Sequence, residues 1–97
     1  MYKISSVIKN QELDKLQVQK LVETGSFEIL SISLEKDAVF PKHSSPTNAQ
    51  LIVLEGDIIF HIEGVPYELS KYQNFSFPKK IEHWVKARKN SKFLIIR

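Results

Sequence analysis

FPKHSSPTNAQLIVLEG, residues 40–56, is the stretch on which the reading of this chain turns. A histidine, His43, follows a proline; a polar turn comes next, and then LIVLEG, a continuous β-rich apolar run closed by Glu55-Gly56. A short apolar run bounded by turn residues reads as a buried strand. Downstream, DIIFHIEG (Asp57 to Gly64) alternates, with Ile58, Phe60 and Ile62 on one face and Ile59 and His61 on the other. Glu63-Gly64 then reads as a hairpin turn, because glycine tolerates positive φ.

The same rhythm runs outward in both directions. PYELS, NFSFP, HWVKA and KFLII read as short strands separated by SKYQN, PKKIE and RKNS, with Pro78 at a strand end where its missing N–H does little harm. Upstream, FEILSISLE places Leu30, Ile32 and Leu34 on one face and starts the other with Phe27 and Ile29, as in a strand covered on both sides for part of its length. Strands recurring every ~8–12 residues indicate a sandwich or small barrel. The chain from Val18 onward therefore reads as all-β. Before it, NQELDKLQVQKLVE has leucines at partly helical spacing behind Asn10, a capping residue, so a short turn or helix to about Leu16 is expected, with a strand after it.

With 97 residues there is room for one domain, expected to span 1–97 with an N-terminal segment over 1–17 and the barrel over 18–97. The absence of cysteine excludes disulfides, thiolate metal sites and cysteine nucleophiles. No apolar stretch reaches the ~20 residues that cross a bilayer, and the N-terminus has no continuous apolar core of a signal peptide; a soluble, cytoplasmic protein without a membrane partner is the expectation. The net charge is +3, and much of the excess lies at Lys79, Lys80, Lys86, Arg88, Lys89 and Lys92. These residues alternate with apolar ones or sit in turns, as a solvated sheet face requires, so no nucleic-acid partner is expected.

The strand order, the VLEG tetrapeptide Val53 to Gly56, and Pro78 followed by His83 resemble the cupin superfamily. In that family one motif runs Gly, five residues, His, one residue, His, three or four residues, Glu, six residues, Gly; a second runs Gly, five residues, Pro, one residue, Gly, two residues, His, three residues, Asn. Both spacings fit this chain without gaps, from Asp37 to Gly56 and from Tyr72 to Ala87. His43, Gly56, Pro78 and His83 match in identity. Asp37, Tyr72 and Lys80 stand where the motifs have glycine, Ser45 stands for the second histidine, Ala49 for the glutamate and Ala87 for the asparagine. The implied fold is a small cupin-type β-barrel, a jelly-roll-like double-stranded β-helix. HSSPTNAQLIVLEG also resembles a group of short single-domain cupins without a settled activity. Pairing through sheet edges and N-terminal segments is common in small cupins, so the resemblance also implies a homodimer.

The resemblance places a divalent metal at the positions of His43, Ser45, Ala49 and His83. Alanine has no donor atom and a neutral hydroxyl is a poor substitute for imidazole, so only His43 and His83 are left as metal ligands. Two imidazoles without a carboxylate fall short of the three protein ligands of a catalytic site. No cofactor is expected. The leading expectation is a barrel that binds an unknown small molecule at its mouth, in a pocket lined by His43, Ser45, Tyr67, Phe75, Phe77 and His83, the histidines and Ser45 serving as polar anchors. Two facing histidines would titrate together near neutral pH and suit a small anion or polar group.

Two alternatives stand beside it. One is a divergent metal-dependent enzyme of isomerase or oxygenase type using His43 and His83. The other is a dimeric interaction module whose outer face, with Ile59, His61 and Trp84, matters more than its mouth. No catalytic residue is nominated: the three glycines are scattered, no carboxylates pair, and Ser45 near His43 has neither an oxyanion hole nor a third orienting group.

Overall fold

The computed structural model describes residues 1–97. A single helical turn, α1 (Val7–Asn10), precedes nine strands: β1 (Leu16–Glu23), β2 (Glu28–Leu34), β3 (Val39–His43), β4 (Ala49–Glu55), β5 (Asp57–Ile62), β6 (Val65–Ser70), β7 (Asn74–Phe77), β8 (His83–Ala87) and β9 (Ser91–Ile96). All pairing is antiparallel, in a five-stranded sheet of order β1-β2-β9-β4-β7 facing a four-stranded sheet of order β3-β8-β5-β6. No helix is long and apolar enough to cross a membrane.

Alternation along the strands decides what fills the space between the sheets. Ile58, Phe60 and Ile62 of β5 are buried, as are Val85 and Ala87 of β8, and they meet Ile32, Leu51, Val53 and Phe93 of the opposite sheet. Burying one such side chain fully contributes roughly 1.5–3 kcal/mol. The second face of β2 is covered too, but by a polar contact. Ser31 donates to the Gln11 side-chain oxygen at 2.7 Å, and the Gln11 amide donates to the Ser31 carbonyl at 2.9 Å. Gln11 is itself buried, so the N-terminal segment closes over this face through a satisfied amide.

Turn chemistry fixes the registers. Glu63 and Gly64 both take positive φ (51° and 76°), the two-residue turn whose twist suits the β5–β6 hairpin. Gly56, at φ 91°, lies so close to β9 that a Cβ there would stand 2.2 Å from Ser91 Oγ and 2.5 Å from the Asn90 carbonyl. The VLEG glycine is thus a point of close backbone approach as well as a turn. Asp37, Tyr72 and Lys80 also have positive φ, at 69°, 71° and 62°. The backbone keeps the left-handed shape at each position where the motifs have glycine, although a side chain now stands there.

Candidate functional site: the histidine pair and its aromatic row

His43 ends β3 and His83 begins β8, and the two are direct partners in the ladder. The ladder is irregular between Phe40 and His43, and His43 occupies the strand end beyond that irregularity. The two Nε2 atoms lie 3.0 Å apart. Each ring is tethered at its other nitrogen, His43 Nδ1 at 2.7 Å from the Pro41 carbonyl oxygen and His83 Nδ1 at 3.0 Å from that of Ile81. A carbonyl oxygen only accepts, so each Nδ1 carries a hydrogen and donates it.

The pair belongs to a row of rings through the barrel. Phe40 stacks on His43 with centroids 4.1 Å apart, Phe60 stacks on His83 at 5.0 Å, and Phe77 meets His83 edge-on at 4.7 Å. Phe75 continues from Phe60 at 5.0 Å, and Tyr67 follows Phe75 at 4.9 Å. These spacings are those of packed aromatic contacts. His83 is 2% exposed, Phe77 is buried, His43 and Phe75 are half-buried, and Tyr67, at 39%, reaches the surface. Five of the six residues expected around the mouth thus join one chain of ring contacts.

Ser45 has a different role. It is buried, but its hydroxyl donates to the Thr47 carbonyl at 2.6 Å within its own loop. Its backbone carbonyl accepts from the Lys80 N–H at 2.8 Å, and the neighbouring Asn48 side-chain oxygen accepts from the Lys79 N–H at 3.0 Å. The β3–β4 loop and the β7–β8 turn are therefore bonded to each other, and Ser45 serves that closure. The largest cavity, of about 550 Å³, adjoins the β1–β2 turn and Arg97, and a smaller one of about 360 Å³ lies outside the four-stranded sheet against Lys42, His61, Glu63, Glu82 and Trp84. Neither contains the histidine pair.

Burial holds His83 below the usual histidine range; the facing His43 and the Arg97 charge act in the same direction, and the bond to the Ile81 carbonyl opposes them in part. The donor set does not fit a tightly held divalent metal. Only two imidazole nitrogens face one another, Ala49 supplies nothing, the Ser45 hydroxyl is turned onto Thr47 in its own loop, and no three His, Asp or Glu side chains converge anywhere in the fold. The carbonyl tethers at Pro41 and Ile81 and the rings of Phe40 and Phe60 were missing from the set nominated by sequence. Alternation does place Phe60 inward, but the tethers depend on local geometry at two strand ends.

This barrel of two antiparallel sheets is a double-stranded β-helix. The family model described as "Cupin domain" matches residues 30–96, and the chain belongs to the cupin family. A conserved protein of unknown function from Streptococcus pyogenes is 27% identical, with a TM-score of 0.78 over 88% of this chain and 75% of that one. An RmlC-like cupin from Desulfovibrio desulfuricans is 21% identical, with a TM-score of 0.86 over 99% of this chain and 95% of its own. KdgF from Halomonas is 20% identical, with a TM-score of 0.76 over 89% and 81%. No curated protein sequence matches the chain.

Proposed function

We propose that this cupin binds a small molecule at the end of the barrel where the aromatic row and the histidine pair meet, without a tightly held metal. The observation that carries this reading is the row itself: rings from β3, β5, β6, β7 and β8 in mutual contact, half-exposed at His43 and exposed at Tyr67. A mostly apolar lining with few polar groups is the usual chemistry of a small-molecule site. Here the polar groups are two imidazoles, and Ser45 contributes through the loop that covers them. Entry requires the β3–β4 loop and the β7–β8 turn to part, which breaks the two bonds between them.

Thermal-shift screening of the full chain against small carboxylates, phosphates and aromatic metabolites tests the reading. A ligand that raises Tm in the parent and fails to do so in His83→Ala supports it. No shift from any compound, with His83→Ala indistinguishable from the parent, overturns it.

A second reading has its own observation. On the outer face, His61 and Trp84 stack at 3.6 Å with their planes 1° apart, beside a cavity that also touches Lys42, Glu63 and Glu82. A half-buried Trp with charges at its rim suits a subunit interface, and a homodimer through this face is the partner we propose for it. A chain that sediments as a monomer at all concentrations, with Trp84→Ala unchanged in mass, removes that reading.

A further inference from the structure

The largest cavity of the molecule plays no part in the binding reading above. It holds about 550 Å³ between the β1–β2 turn and the β3–β4 loop, and Arg97 is the only cation on its wall. Arg97 is fixed along one edge: its backbone exchanges two hydrogen bonds with Glu28, and its Nε donates to Glu28 Oε1 at 2.7 Å. The other oxygen of that carboxylate lies 3.4 Å from Lys20 Nζ, and Lys20 is also paired with Glu23. Glu28 therefore does not embrace the guanidinium on both sides. Neither Nη group has a hydrogen-bond partner in the chain, although the Arg97 side chain is only 24% exposed. Unshared N–H donors in a planar, partly buried fork are the chemistry that recognises an oxyanion. We propose that this cavity is a second ligand site, one that takes a small organic monocarboxylate on the free Nη edge of Arg97, with the apolar part of the ligand against Phe27 and Pro46.

The surrounding charges choose between oxyanions. Glu23, Lys20, Glu28 and Arg97 alternate in sign along one run of ion pairs, so the wall is close to neutral before a ligand arrives. The bond from Arg97 holds Glu28 below the usual carboxylate range; desolvation opposes it in part, and Lys20 adds to it. Both carboxylates on the wall are thus fixed negative charges near neutral pH. A dianionic phosphate meets that field with two charges, whereas a monocarboxylate brings one and matches the two parallel N–H bonds of the fork.

The remaining wall suits the rest of such a molecule. Phe27 is 43% exposed at the cavity, an apolar surface beside the charged edge. Thr24 holds the turn that carries this ring: its hydroxyl accepts from the Ser26 and Phe27 N–H groups at 3.0 and 3.1 Å and lies 3.2 Å from the Phe27 carbonyl, to which it donates. The turn is therefore set in place before a ligand binds, which lowers the cost of binding. Neither histidine of the pair lines this cavity, so the site stands or falls separately from the one at the aromatic row.

The test is NMR titration of the intact 15N-labelled chain with sodium benzoate at constant ionic strength, with benzamide and inorganic phosphate as controls. The expected result is saturable shifts at the Gly25, Ser26 and Thr47 amides and at the Arg97 Nε–H with benzoate, and no saturation with either control over the same range. Arg97→Gln, which removes the fork, and Arg97→Lys, which keeps the charge without it, should each weaken benzoate by about tenfold or more while the β2 and β9 amides keep their parental shifts. Phe27→Ala, a change at an exposed ring, should weaken it by about fivefold. Absence of saturable shifts, phosphate binding as tight as benzoate, or unchanged affinity in either Arg97 variant overturns the proposal. Benzoate that shifts Tyr67, Phe75 and His83 and leaves Gly25 and Ser26 alone also overturns it, while supporting the site at the aromatic row.

Discussion

Strands β5 and β8 carry two ring pairs back to back. Inside the barrel Phe60 stacks on His83; outside, one residue along each strand, His61 stacks on Trp84. The residue types are nearly the same and the strands are the same, yet the environments differ. The inner pair sits among apolar side chains, and the outer one is rimmed by Lys42, Glu63 and Glu82. The sheet thus makes one histidine a buried ring tethered to a backbone carbonyl and the other a half-buried ring on the outer face. Burial and the bonds to the second nitrogen, rather than the imidazole itself, decide what each can do.

The largest test of this contrast is Phe60→Ala. Phe60 is fully buried and touches Phe75, Phe77 and His83, so its truncation should cost about 3–5 kcal/mol in urea unfolding. A cost no greater than that of an outer-face truncation would erase the distinction between the two faces.

A pH series comes next. Because His83 is held below the ordinary 6.5, the unfolded chain takes up a proton there before the folded chain does. Its contribution to stability is complete above about pH 6.5 and is lost as the pH falls below that value. In His83→Gln this acid loss should disappear, whereas in His61→Gln it should be unchanged; melting temperatures of the three proteins at matched pH decide. Trp84→Ala, which removes the outer stack and half-buried area, should cost only about 1 kcal/mol.

Period-two alternation made the strands legible, because each buried face had to recur at every second residue. Gly56 and Gly64 were legible as turns for the same reason that they are required. The left-handed backbones at Asp37, Tyr72 and Lys80 were hidden behind residues that rarely adopt them, and only spacing pointed there. Tyr72→Gly should accordingly stabilise the chain, by about 0.5–1 kcal/mol in the same unfolding measurement, since it relieves positive φ at an exposed turn. A neutral or harmful effect would mean that the Lys71–Tyr72 contact outweighs the strain.

At the candidate site, the pairing of His43 with His83 could be anticipated from two motif positions. The commitment of the Ser45 hydroxyl to Thr47 could not, because a serine in a polar turn looks the same whether it faces a pocket or its own loop. Gln11 was equally silent. Nothing in NQELD distinguishes an amide that caps a buried serine from one in solvent.

That amide has a consequence for how the molecule comes apart. The helical turn α1 buries no side chain, and it is joined to the barrel by the Gln11–Ser31 bonds and by Lys92, whose ammonium donates to the Ile8 carbonyl at 2.9 Å. With so little apolar contact, this segment should detach as a unit well before the sheets open. Hydrogen exchange should register it as rapid loss of protection at Asn10, whose N–H donates to Ser6, while the β2 and β9 amides stay slow. Gln11→Ala should speed that exchange and leave the barrel's own protection in place. In such an opened form Ser31 is wet and β2 keeps only its strand pairings, with β1 as the edge of the sheet beside it, so the buried amide acts as the clasp over the face of β2.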